Sequence, residues 1–152
     1  MLNSLGDKMQ KYIFTFLIVL ALSISACGSQ EITHTAPELT DNWSVRMIQI
    51  GGIAGVNRAI EVLSDGSYTV YQQAGAEGIK GQLSESDLAT LEDLIANLEV
   101  ANVRTDMMCA DCFEYNIEIQ SGGRKMVLDF DDITLPDSGA EELVAFLQKL
   151  FG

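Results

Sequence analysis

Cys109-Ala110-Asp111-Cys112 sets two thiols three residues apart, close enough for a bridge across one turn. In an oxidising compartment such a pair closes into a structural disulfide. The competing chemistry is a thioredoxin-like redox pair, which needs a helix N-terminus to lower one thiol pKa. Here the pair precedes a strand-like stretch and lies among Asp106, Asp111 and Glu114, which would raise that pKa instead. A zinc site would need two further ligands, and the region after Trp43 supplies neither a second such pair nor a histidine. His34, the only histidine, sits in a polar stretch where a solvated role is expected. Asp129, Asp131, Asp132 and Asp137 offer carboxylate oxygens to a hard cation such as calcium. Their spacing fits no EF-hand loop, and Phe130 and Ile133 interleave as core positions would, so a solvated strand end is expected. No Ser-His-Asp set, zinc-hydrolase helix or carboxylate pair in a recognisable cleft is present. The chain therefore reads as a non-enzyme with no metal and no cofactor.

The third cysteine carries different chemistry. Lys8 and Lys11 precede an uncharged, mainly apolar run from Tyr12 to Ile24, and Ser25-Ala26-Cys27 follows. Basic residues, a short apolar core and small residues before a cut site make a secretory signal. The run is shorter than the roughly 20 residues that span a bilayer comfortably, so a permanent transmembrane helix is the weaker reading. Ile24-Ser25-Ala26-Cys27 resembles a bacterial lipobox, which implies diacylation of the Cys27 thiol and cleavage before it. Both Met1 and Met9 suit as starts. Residues 1–26 are then a lipoprotein signal peptide, and 126 residues remain from Cys27 to Gly152, enough for one domain. Cleavage removes Lys8, Lys11 and Asp7 and takes the net charge from −13 to −14. Such a domain is repelled by nucleic acid and by anionic membrane surfaces. Acyl chains must hold it at the membrane, each buried methylene contributing about 0.8 kcal/mol. Gly28, in place of a retention-type aspartate, leaves the outer membrane or the cell surface open as destinations.

These groups need elements to position them. Residues 27–42 are rich in Ser, Thr, Glu and Gln with Pro37, and read as a flexible tether. The domain, 43–152, begins with Ser44 to Ile50, where apolar and polar residues alternate as in a strand with one buried face. A glycine-rich loop, Gly51-Gly52-Ile53-Ala54-Gly55-Val56-Asn57-Arg58, follows. Ala59 to Leu63 and Tyr68 to Gln72 flank an Asp65-Gly66 hairpin turn. Ser84 then caps a helix carrying Leu88, Leu91, Leu94, Ile95 and Leu98 on one side. Phe113 to Ile119 alternates again, Ser121-Gly122-Gly123 turns the chain into Arg124 to Phe130 as a second hairpin, and a last helix covers about Ala140 to Phe151. Hairpins without βαβ crossovers predict an α+β fold: an antiparallel sheet of about five strands in β-β-β-α-β-β-α order, two helices on one face.

The glycine run after a first strand resembles the Gly-Gly-Phe-Ala-Gly signature of the emfourin family, inhibitors of protealysin and other thermolysin-like zinc metalloproteases. The similarity continues through the Leu83 to Leu98 helix, Asp111-Cys112-Phe113-Glu114-Tyr115 and the stretch from Asp129 to Pro136. It covers about Val45 to Phe151, with Ile53 where the family carries an aromatic residue. The resemblance implies that the loop from Gly51 to Arg58 blocks a protease cleft, with Ile53 entering a pocket for a bulky apolar residue. Arg58 either fixes the loop base or meets an acidic residue of the cleft. The competing expectation is that the glycines only bend the chain and Ile53 fills the core. A phosphate site is not expected, because the glycines lead into a strand and no Lys-Ser/Thr pair follows. The alternative function is an envelope lipoprotein that binds or scaffolds other proteins without a protease target.

Overall fold

Val45 and Met47 face Val62 and Ile60 across one ladder and Ile119 and Ile117 across the other, so three strands turn the same apolar face inward. That register is what alternation dictates, since a one-residue slip would put every one of these side chains in water. The chain falls into two units, Met1–Glu31 and Ile32–Gly152, and the computed structural model describes residues 35–101 and 109–152. The lipidation candidate Cys27, His34 and Asp106 lie outside the described residues. Strands β1 (Trp43–Gly51), β2 (Val56–Leu63), β3 (Ser67–Tyr71) and β4 (Ile79–Gln82) precede helix α1 (Glu85–Ala96). Strands β5 (Phe113–Ser121) and β6 (Arg124–Asp131) follow, then a 3-10 turn (Leu135–Asp137) and helix α2 (Glu141–Lys149). All pairings are antiparallel in one sheet of order β4-β3-β2-β1-β5-β6, so the fold is α+β as the hairpin pattern predicts.

The sixth strand is an addition to the expected five. Ile79-Lys80-Gly81-Gln82 has one apolar residue and no buried position, so periodicity leaves no trace of it. Gly81 is nonetheless specific: a Cβ there would sit 2.2 Å from the Tyr68 ring, which lies across the strand.

One sheet face carries the core. Trp43, Val45, Met47, Ile60, Val62, Ile117, Ile119 and Met126 join Leu91 and Ile95 of α1 and Leu143, Val144 and Leu147 of α2 in one buried cluster. Helix α1 starts as expected, with the Ser84 hydroxyl accepting the Asp87 N–H at 3.1 Å and Glu85 and Asp87 in its first turn. The tether is shorter at its domain end than composition suggests. Pro37 is buried, and Ala36 and Leu39 pack on the core. The Thr40 N–H donates to the Ser121 hydroxyl at 2.9 Å. A few apolar contacts without period suffice to dock this stretch. Among the described residues no helix is long and apolar enough to cross a membrane.

Candidate functional site

Gly51 pairs with Val56 at the end of the β1–β2 ladder, which leaves Gly52-Ile53-Ala54-Gly55 as the tip of the hairpin. The Gly55 N–H closes the turn on the Gly52 carbonyl at 3.0 Å. Ile53 is 93% exposed at that tip. Of the two placements open to it, projection or burial, it takes projection. Val56, Asn57 and Arg58 belong to β2, so the eight-residue run divides into a tip and a strand base.

The base is tightly made. Gly51 and Gly52 take φ of +105° and +67°, a region that side chains oppose. A Cβ on Gly51 would lie 2.3 Å from the Cys112 carbonyl oxygen, and one on Gly52 would lie 2.8 Å from the Phe113 ring. The Gly52 N–H donates to that same Cys112 carbonyl at 3.1 Å. Cys112 is itself at disulfide-bonding distance from Cys109, their Cα atoms 5.5 Å apart. The pair stands at the entry to β5, and among the described residues no helix N-terminus of the kind redox chemistry would use adjoins it in sequence.

Behind Cys112 a second layer holds Phe113. Its N–H donates to Asp132 Oδ2 at 2.8 Å, and its carbonyl accepts the Asp132 N–H at 3.2 Å. The other Asp132 oxygen accepts from the Tyr115 hydroxyl at 2.8 Å. Burial first, then the Asp132 hydrogen bond and charge, push the Tyr115 hydroxyl up to about 12. Tyr115 is thus a fixed neutral donor over the whole physiological range. The chain of contacts runs from the tip through Cys112 and Phe113 to Asp132 and Tyr115.

Arg58 makes its contacts within the chain, at the base of the hairpin. Its Nε donates to Gln49 Oε1 at 3.0 Å, and its guanidinium lies 4.1 Å from the centre of the Phe151 ring. It therefore pins β2 to β1 and to the chain end, using a cation–π contact. Gln49 is 1% exposed, a polar residue in an apolar row. That break in the Val45, Met47 alternation was the only sequence signal of the Gln49–Arg58 pair. Nothing in local pattern marks Asp132 as the support of Phe113, because that contact spans two strands and a turn.

The aspartates divide rather than converge. Asp131 Oδ1 accepts from the Ile133 and Thr134 N–H groups and the Thr134 hydroxyl. Burial pushes its pKa up, and those hydrogen bonds outweigh it and leave a net lowering. Asp129 accepts from the Asn116 amide, and Asp137 ends the 3-10 turn. Among the described residues no three His, Cys, Asp or Glu side chains gather as a metal site would require. Beside the hairpin, the sheet face that no described helix covers holds a shallow depression of about 220 Å³ floored by Ile48 and Ile50 and rimmed by Glu114, Asp129 and Asp131.

What these groups can do is present a stiff apolar point to another macromolecule. Compared with protein-family models and with curated proteins, the chain matches none.

Proposed function

We propose that this chain is a lipid-anchored inhibitor of thermolysin-like metalloproteases, tethered through acylated Cys27 and acting by its β1–β2 hairpin tip. The observation that carries the reading is the fully exposed Ile53 on a turn whose base is fixed by Gly51, Gly52 and the Cys112 carbonyl. An apolar residue so exposed gains most by burial in a partner's pocket, about 1.5–3 kcal/mol for a side chain of this size. A turn held from two sides loses little ordering entropy on docking, which is the condition for tight blockade. Gly52 and Gly55 let the backbone of the tip approach the walls of a narrow cleft. The anchor keeps the inhibitor at the envelope, where exported proteases would reach it.

The test is a titration of the purified full chain against thermolysin-like enzymes, beside Ile53→Gly. Ile53 contributes almost nothing to the core, so the variant should keep its unfolding midpoint while losing roughly 10- to 100-fold in inhibition. Full enzyme activity at micromolar wild-type chain would remove the reading. In that case the depression floored by Ile48 and Ile50 favours the second reading, a protein-binding or scaffold lipoprotein without a protease target.

A further inference from the structure

Strand β6 is the outer strand on one side of the sheet, and of the usual guards of an edge it carries only charged side chains. It is eight residues long, pairs with β5 without a bulge from Arg124 to Asp131, and contains no proline. The opposite edge, β4, has only four residues. Gly122 and Gly123 form a two-residue turn between Ser121 and Arg124, with φ of +57° and +78°. Such a turn makes Ser121 and Arg124 a hydrogen-bonded pair, so Arg124, Met126, Leu128 and Phe130 aim their backbone groups at β5. Lys125, Val127, Asp129 and Asp131 then aim theirs outward. Asp131 bears this out: its N–H donates to the Thr134 hydroxyl at 2.8 Å, and its carbonyl accepts the Thr134 N–H at 3.2 Å. The outward backbone groups of Lys125, Val127 and Asp129 have no such partner among the described residues.

We infer that β6 is an interface for a second copy of this chain, the two β6 strands pairing antiparallel about a two-fold axis at Val127. The occupant follows from the charge pattern. A two-fold at Val127 sets Lys125 of each copy opposite Asp129 of the other on the uncovered sheet face, and Val127 opposite itself. Each of these three positions uses an outward pair of backbone groups, giving about six main-chain hydrogen bonds across the axis. On the core side it sets Met126 opposite Leu128, continuing the apolar face from one sheet into the next. Opposite charges directly across a ladder stabilise, and like charges would oppose it. Lys125 already meets Glu118, its diagonal neighbour on β5, so the pairing would add Asp129 of the other copy to that ion pair. A domain this acidic would otherwise repel its copy. The edge brings its few cations to the place where they count, and lipid anchoring would confine the copies to one surface.

Site-specific oxidation of the full chain in its membrane tests the arrangement. Residues across a hydrogen-bonded antiparallel pair lie about 5.5 Å apart at Cα, within disulfide reach. Val127→Cys should therefore give mostly covalent dimer, and Asp129→Cys, which faces Lys125, should stay mostly monomeric. Lys125→Asp in the Val127→Cys background should cut dimer formation at least tenfold, and adding Asp129→Lys should restore it. A monomeric Val127→Cys chain, or equal crosslinking at both positions, would overturn the interface. Failure of the charge swap to restore the dimer would overturn the register.

Discussion

Gly51 and Gly52 are the residues on which the hairpin's shape rests, and each is fixed by a different neighbour. Alanine at Gly51 would meet a backbone carbonyl at 2.3 Å, and a backbone atom cannot rotate aside. Gly51→Ala should lower stability by about 2 kcal/mol or more, read as a shift in the denaturant midpoint. Gly55 has only open space at its Cβ position, so Gly55→Ala carries the left-handed backbone cost alone, about 1 kcal/mol. Tyr115 makes a second prediction at this scale. Its hydroxyl is held near 12 in the folded chain and ionises near 10 when unfolded. The unfolded state therefore loses its proton first as the solution becomes alkaline. The stability this group provides is complete below about pH 10 and disappears as pH rises toward 12. Tyr115→Phe should remove that alkaline slope, at a neutral-pH cost of about 1 kcal/mol for the lost Asp132 hydrogen bond. Urea unfolding of both chains from pH 8 to 12 measures it.

Two elements meet at the tip, and only one of them is visible in local pattern. Strand alternation, the Ser84 cap and the Asp65-Gly66 turn are all short-range signals, so β1 to β3, β5, β6 and both helices were legible. Strand β4 was not, because an exposed edge strand with a glycine has no inward face to mark it. The glycine run was legible as a bend, while its exposure was not, since outward and inward turns share the same residues. What decides it is long-range: the Cys112 carbonyl and the Phe113 ring occupy the space behind the hairpin. The entry to β5 is thus the brace of the β1–β2 turn. Reducing the Cys109–Cys112 pair with a dithiol, or removing it by Cys112→Ser, should free the brace and not the core. We predict a several-fold loss of inhibition with a change of less than about 2 kcal/mol in global stability, together with faster amide exchange at Gly52. Unchanged exchange at Gly52 in the reduced chain would show that the cysteine pair does not support the tip.

At the scale of the whole molecule, charge bears on the proposed lipid anchor. A chain of net charge −13 has no electrostatic attraction to an anionic bilayer, so the proposed membrane residence would have to come from acyl chains. Cys27→Ser should therefore move the protein from the membrane to the soluble fraction, and raising salt should not release the wild type. Release by salt would point to a charged partner in place of lipid. The two faces of the sheet also divide: one is filled by α1 and α2, and among the described residues no helix covers the other beside the hairpin. The tip itself stands at the end of the β1–β2 ladder, beyond the last paired residues Gly51 and Val56.

Everything functional in this account turns on Ile53 sitting inside a partner's cleft rather than touching its surface. Competition measures that most directly: the affinity of the full chain for a thermolysin-like protease, with the enzyme's cleft free and then filled by a small zinc-directed inhibitor. Mutually exclusive binding, lost in Ile53→Gly, is the predicted result. Undiminished binding of the chain to the filled enzyme would contradict it.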